Sequence, residues 1–494
     1  MIKNPEDQLV APLASTARRS RIGSSRRVTA TLIAALLVGA APLAVIWRIS
    51  ERVAHEVTEV KASAVGESVL TTPLLSVRRA PSTLSAEIRI GGLRNSLRPI
   101  AASLPEQSCM EVAVEGRNIS ETNVNTPLVP ASNLKVLVAA AALEVLGEDF
   151  HYTTKIVGIA DGNTIQGDLW LVGGGDPLLT AGDYPSTEAQ PTLSPTRIES
   201  LFEALKSAGI TTISGSIVGD ESRYDTERFT PSLGLGIRGT ELGPLGALLL
   251  NDGEIAASPI KPDSPALSAA IEFTRLLTES GITVVGLPKT GTASGDLPVI
   301  GMVDSAPMKD VVVEMLTNSD NNTAELVLKE LGKSESEQGT RIGGLAVVLR
   351  VLREANINID GLAMTDGSGL DRSNRITCTT LQSVLIRDGG FGSLTMGFAV
   401  AGQSGTLSDI FLSGPMRGVM RGKTGTLTGV KALSGVIPYA EKQAIIFSIL
   451  LNGTGVSNQS SYRPIWSALT DALAKFSLRP TAIELAPLAA TDKP

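Results

Sequence analysis

At 494 residues the chain is too long for one ordinary core, so it reads as two or three structural units or as one domain carrying insertions. Hydrophobic residues at 43% and charged residues at 19% are the balance of a folded protein, and a net charge of −7 leaves no broad basic surface for a nucleic-acid partner. With 2 histidines and 2 cysteines, none at metal-ligand spacing, zinc chemistry and a Ser-His-Asp triad are both poorly supplied, and neither metal nor cofactor is expected.

Near the N-terminus, Arg18, Arg19, Arg21, Arg26 and Arg27 precede the uncharged run "VTATLIAALLVGAAPLAVIW", Val28 to Trp47. Its length matches a bilayer span at about 1.5 Å per residue. The basic flank holds residues 1–27 in the cytoplasm, so everything after Trp47 is expected outside it, in the cell envelope. An uncleaved membrane anchor is the first reading. A cleavable signal peptide is its rival, since "GAAPLA" offers small residues, although the run exceeds the usual apolar stretch of about 7–15 residues. Residues 48–95 show no clean periodicity and read as a linker. Cys109 and Cys378 can pair in an oxidising compartment or stay as two buried thiols; the sequence leaves both open.

From about residue 96 the pattern is globular. "CMEVAVEG" alternates like a strand, and "ETNVNTPLVPAS" is a polar loop leading into the helical run "PASNLKVLVAAAALEVLG". Residues 153–175 alternate as strands with glycine punctuation. "SPTRIESLFEALKSAG" and "SPALSAAIEFTRLLTESG" are amphipathic helices, each ending at a glycine and followed by a strand-like segment. After Val311 the chain is mostly helical to about 390. "RGKTGTLTGVKALSGVIPYAEKQAIIFSILLNG" then supplies strands before a last helix around "YRPIWSALTDALAKF", and the Pro- and Ala-rich tail, 479–494, reads as loose.

Three short motifs carry the chemistry. Ser132 and Lys135, one helical turn apart at the head of an Ala-rich run, can touch. A serine hydroxyl becomes nucleophilic when a base takes its proton, and a lysine desolvated among apolar residues can be that base. Ser319 and Asn321 lie in the polar turn of "TNSDNNTAE", offering a hydroxyl to relay a proton and an amide to hold a substrate backbone. Lys423, Thr424, Gly425 and Thr426 open a strand in "RGKTGTLTG" and combine a positive charge with hydroxyls suited to an anion.

Ser-x-x-Lys, Ser-x-Asn and Lys-Thr-Gly in that order resemble the signature of the serine penicillin-binding proteins and β-lactamases. More closely, "GGGDPLL" (173–179), "DGSGLDRSN" (366–374), "AGQSGTL" (401–407) and "KTGTLTGVKALSG" (423–435) resemble the class C low-molecular-mass penicillin-binding proteins, the D-alanyl-D-alanine carboxypeptidases and endopeptidases. The likeness covers residues 96 to about 475. It implies an α/β catalytic domain, an antiparallel sheet flanked by helices with an all-helical part, formed by 96–155 and 301–478. It also implies an inserted strand-rich domain at 156–300, shorter than the two inserted domains usual in the family. The segment "TPSLGLGIRGTELGPLG" (230–246) lacks the tryptophan and acidic pair with which relatives grip a diaminopimelate side chain.

The implied activity is trimming of peptidoglycan stem peptides. Ser132 attacks the carbonyl between two D-alanines with Lys135 as base, and the backbone N–H groups of Ser132 and Thr426 hold the oxyanion. Ser319, with Lys423, passes the proton to the leaving amine, and Asn321 orients the substrate. Thr424, Gly425 and Thr426 bind substrate. β-Lactams, resembling the same dipeptide, would acylate the same serine. The rival readings are a β-lactamase-like hydrolase and a non-catalytic wall-binding protein that kept the fold.

Overall fold

The computed structural model describes residues 81–182, 184, 191–254 and 263–476, together with Arg48. The Val28–Trp47 run lies outside them. Among the described residues no helix is long and apolar enough to cross a membrane. The described residues from Pro81 to Phe476 lie in one compact unit.

The first difference from the sequence reading is helix α1 (Pro81–Ser103), which occupies part of the expected linker. Ile90, Leu93, Leu97 and Ile100 recur at helical spacing and are buried in one core with Trp466, Leu469 and Leu473. Gly91, Gly92 and Pro99 interrupt that stripe in sequence and hide its periodicity. A tight hairpin follows, β1 (Ser108–Val114) and β2 (Arg117–Thr122), turning through Glu115 (φ 51°) and Gly116 (φ 73°), both in the left-handed region that two-residue hairpin turns need. Next come a 3-10 turn, Ala131–Leu134, and helix α2 (Lys135–Val145).

The chain then leaves this body for a second sheet. In chain order it contributes β3 (Thr153–Asp161), β4 (Thr164–Val172), β5 (Leu179–Thr180), β6 (Thr196–Arg197), α3 (Glu199–Ser207), β7 (Thr212–Ile213) and β8 (Ile217–Asp220). After these come α4 (Pro265–Glu279), β9 (Thr283–Val284), β10 (Lys289–Thr290) and β11 (Val299–Asp304). The sheet runs β10-β8-β4-β3-β11, with β7 joining β4 to β9, while β5 and β6 pair separately. It is mixed: β3 pairs β4 and β11 antiparallel, whereas β8 pairs β4 and β10 parallel after helical crossovers. Leu201, Phe202 and Leu205 of α3 and Ala269, Phe273 and Leu277 of α4 close a core over Ile156, Leu169, Leu171 and Ile217.

The return is helical: α5 (Met308–Thr317), α6 (Asn321–Lys333), α7 (Arg341–Glu354), α8 (Cys378–Asp388) and the short α9 (Ser393–Met396). Strands β12 (Ala399–Val400), β13 (Arg421–Leu427), β14 (Val430–Ala440) and β15 (Gln443–Asn452) then join β1 and β2, and α10 (Gln459–Phe476) ends the described chain. This sheet is antiparallel throughout, in the order β12-β13-β14-β15-β1-β2. Alternation along β15 sends Ile445, Phe447 and Ile449 to the core beneath α1 and α10 and Ile446 and Leu450 to the core of the helical part. The sheet is therefore covered on both faces. Cys109 in β1 and Cys378 at the start of α8 are disulfide-bonded, with Cα atoms 6.0 Å apart, which decides the alternative the sequence left open and ties the sheet to the helical part.

Candidate active site

Ser132 stands in the 3-10 turn, one step earlier than the first α-helical turn expected for it; the α-helix proper opens at Lys135. The cause is the residue before it. Ala131 has φ 48°, a conformation costly for a residue with a side chain and sustained only where surroundings enforce it. Two backbones do so. A Cβ on Gly369 would stand 2.0 Å from Ala131 O, and one on Gly425 would stand 2.7 Å from Pro130 O, so these glycines let two distant segments close directly on the bend.

Lys135 is fully buried behind Ser132. Its Nζ lies 2.9 Å from Ser132 Oγ, 2.7 Å from Asn321 Oδ1 and 2.6 Å from the Ser368 carbonyl. Burial pulls its pKa down to about 8, against the opposing pull of Asp320, Asp366, Glu325 and Glu241. A lysine so placed carries an appreciable neutral fraction near neutral pH, and only the neutral amine can accept the serine proton.

Asn321 begins α6, whose N-cap is Asp320, accepting from the Thr323 N–H at 2.5 Å. Both ends of the Asn321 amide are engaged: Oδ1 accepts from Lys135, and Nδ2 donates to the Glu241 carbonyl at 2.6 Å. Ser319 lies just before the cap at φ 64°, another enforced left-handed conformation. Its Oγ accepts from Lys423 Nζ at 2.8 Å, and Lys423 also donates to Thr424 O at 2.9 Å. Burial, and then the nearby charge of Lys135, push the Lys423 ammonium well below its ordinary range.

A cleft of about 1080 Å³ opens over these groups, lined by Ser132, Ser319, Asn321, Thr424 and Thr426 among others. Every residue singled out from the sequence thus meets at one place: Lys135 and Lys423 beneath the serines, Gly425 against the nucleophile bend, and the two threonines along the β13 wall. Residues 236–237 and 240–243 of the segment without the tryptophan and acidic pair also line the cleft. Among the described residues no group of three or more histidine, cysteine, aspartate or glutamate side chains is arranged to hold a metal ion.

Two supports were not read from the sequence. The first is the buried turn Asp366–Gly369. Glu325 Oε1 accepts from the N–H groups of Gly367 (3.0 Å) and Ser368 (2.7 Å), while Asp366 accepts from those of Gly369 (2.9 Å) and Asp371 (2.7 Å). That set of bonds aims the Ser368 carbonyl at Lys135. The polar, glycine-bearing "DGSGLDRSN" was the available signal, but its target lies 233 positions away. The second is Lys431 on β14, whose Nζ donates to Thr426 Oγ1 at 2.9 Å.

A carboxypeptidase of Mycobacterium tuberculosis is 29% identical over 365 residues, covering 71% of this chain and 76% of the relative. The D-alanyl-D-alanine carboxypeptidase of an Actinomadura species is 27% identical over 480 residues, covering 78% and 86%. Crystal structures of penicillin-binding protein 4 from Haemophilus influenzae share the fold. One covers 77% of this chain and 97% of that protein at 20% identity with a TM-score of 0.61, and another, complexed with a β-lactam, has a TM-score of 0.57 at 21% identity. The model of the D-Ala-D-Ala carboxypeptidase 3 (S13) family matches residues 95–235 and 246–473, and the chain belongs to that family of serine-type peptidases.

Proposed function

We propose that this enzyme removes the terminal D-alanine of peptidoglycan stem peptides by acylation and deacylation of Ser132. The observation that carries the reading is the 2.9 Å contact between Ser132 Oγ and the buried Nζ of Lys135. As a free amine, Lys135 accepts the Ser132 proton while Oγ attacks the carbonyl between the two D-alanines. The backbone N–H groups of Ser132 and Thr426 are the donors assigned to the oxyanion. Lys423 and Ser319, in contact at 2.8 Å, form the relay that returns a proton to the leaving amine. Water then resolves the acyl-enzyme. Asn321 holds Lys135 in place first, and orients substrate through Nδ2 only where the bond to Glu241 yields. Thr424 and Thr426 take the terminal carboxylate, with Gly425 allowing β13 to approach the nucleophile.

Acylation of Ser132 by β-lactams belongs to the same reading, supported by the shared fold of a relative solved with one bound. Action outside the cytoplasm follows from a peptidoglycan-directed family. The N-terminal run Val28–Trp47 is the proposed anchor, and the Cys109–Cys378 disulfide fits an oxidising compartment. Residues 96–155 and 301–478 are read as the catalytic domain and 156–300 as the insert, a division supported by two sheets with separate cores. Incubation with purified muropeptides, followed by mass analysis, tests the activity: pentapeptide stems should lose one D-alanine. Intact stems, or loss undiminished in Ser132→Ala, would refute it.

A further inference from the structure

The site proposed for the substrate carboxylate needs a positive charge, and Lys423 is a poor source of it. Its Nζ is committed to Ser319 and the Thr424 carbonyl, and burial beside Lys135 favours its neutral form. A second lysine stands on the neighbouring strand. Register places Lys431 of β14 directly opposite Thr426 of β13, so the two side chains share one face of the sheet. Lys431 is 7% exposed, whereas Thr426 is exposed to the cleft.

The surroundings of Lys431 are those of a cation without an anion. Its Nζ lies 4.2 Å from the ring centre of Tyr462 and 5.2 Å from that of Trp466, both on α10, and aromatic faces favour a positive charge. No carboxylate among the described residues pairs with it; Asp409 attracts its charge and Arg463 on α10 repels it, both without direct contact. Its hydrogen bond goes to Thr426 Oγ1. A hydroxyl oxygen that accepts from an ammonium keeps its own proton for another acceptor, so Thr426 is left as a donor facing the cleft.

We propose that Lys431 is the positioning residue that makes this end of the cleft select a free carboxylate: through Thr426 it orients a donor, and it supplies the positive potential behind it. The inference rests on the carboxypeptidase reading above and names the charge on which its substrate recognition depends. Lys431 acts through Thr426 and takes no part in the proton transfers at Ser132.

The test compares the full-length wild type with Lys431→Met and Lys431→Arg on a peptide ending in D-Ala-D-Ala, as the free acid and as the C-terminal amide. Loss of a charge-assisted interaction corresponds to roughly 10- to 150-fold, so Lys431→Met should lose at least about 10-fold in kcat/KM on the acid, mostly through KM. It should lose little on the amide, and Lys431→Arg should recover most of the acid activity. A cooperative thermal unfolding transition with a wild-type circular-dichroism spectrum reports that each variant is folded. Because burial lowers the Lys431 ammonium to about 8, the wild-type preference for acid over amide should also shrink as pH rises through that value, an independent reading should the methionine variant fail to fold. Equal losses on acid and amide, or an undiminished acid preference both in Lys431→Met and at high pH, would overturn the role of Lys431. A wild type that cleaves acid and amide equally would overturn the carboxylate reading itself.

Discussion

Gly369 is pressed against Ala131 so tightly that a Cβ on the one would lie 2.0 Å from the carbonyl oxygen of the other. The contact joins two enforced left-handed residues, Gly369 at φ 84° and Ala131 at φ 48°, immediately before the nucleophile. Gly369→Ala must therefore displace either the Asp366–Gly369 turn or the bend bearing Ser132. A misplacement of about 1 Å in a reacting group costs on the order of 100-fold, so penicillin acylation of the folded variant should fall by at least that factor. Gly234→Ala, where a new Cβ meets nothing within 4 Å, is the control and should acylate at the wild-type rate.

The acylation rate should rise with pH. The 2.9 Å contact serves both protonation states of Lys135: the ammonium donates to Ser132 Oγ, and the free amine accepts from it. Only the second starts the reaction. With burial holding Lys135 at about 8, the acylation rate at saturating β-lactam, which removes any effect of Lys431 on binding, should climb as pH approaches that value and level off above it. A flat profile from about pH 6 to pH 9 would assign the base to another group.

Glu325 is the keystone of the turn that meets Lys135, accepting two backbone N–H groups whose loss would leave buried donors unsatisfied at about 1–3 kcal/mol each. Glu325→Ala should lower both the unfolding midpoint and the acylation rate, whereas Glu325→Gln keeps an acceptor oxygen and should retain most of both. Burial, and then the charge of Asp366, raise the Glu325 carboxyl above its ordinary 4.5. A raised folded pKa means that the protonated form favours the fold: the contribution is complete below the unfolded value and fades as pH rises through the folded one. The Glu325 contribution to stability should consequently fade between about pH 5 and pH 8. Over this range the stability of Glu325→Gln, which lacks it, should decline less or rise more with pH than that of the wild type, the other buried carboxyls and lysines being common to both. Identical slopes would remove Glu325 from the pH response.

The parts legible in the sequence were those with local signals. The Ser132–Lys135 spacing, the polar turn at Ser319 and the strand opening at Lys423 each announce themselves within a few residues; alternation marked β1, and strand-like runs marked β13, β14 and β15. Features that depend on distant packing were not legible. Helix α1 is broken in sequence by Gly91, Gly92 and Pro99 and gains its sidedness only against α10. The partnership of Glu325 with Gly367 and Ser368 spans more than 40 positions, and the backbone strain at Ala131 and Ser319 has no compositional trace. Lys431 was closer to being readable, because the short Thr428–Gly429 turn of the hairpin fixes its register opposite Thr426. That it is buried, and faces two aromatic rings, depends on a helix roughly 30 residues further on.

Thr424, 6% exposed and on the cleft wall, tests the anion site from a second side. Thr424→Val keeps the shape and removes the hydroxyl. Losing one hydrogen bond to a charged group is worth about 1.5–3 kcal/mol, so kcat/KM on a free-acid substrate should drop roughly 10- to 150-fold. The C-terminal amide, which has no charge to lose, should be affected much less. Matching losses on the two substrates would give Thr424 a structural role, through its contact with Lys423, in place of carboxylate recognition.

The identity of the nucleophile is open to one direct measurement: acylate the full-length protein with penicillin, digest it, and locate the added mass. The adduct should fall on the peptide carrying Ser132, be absent from Ser132→Ala, and form far more slowly in Lys135→Ala, in which the hydroxyl has lost the base 2.9 Å away. An adduct on Ser319, or labelling that persists in Ser132→Ala, would contradict the assignment of Ser132 and Lys135 as nucleophile and base.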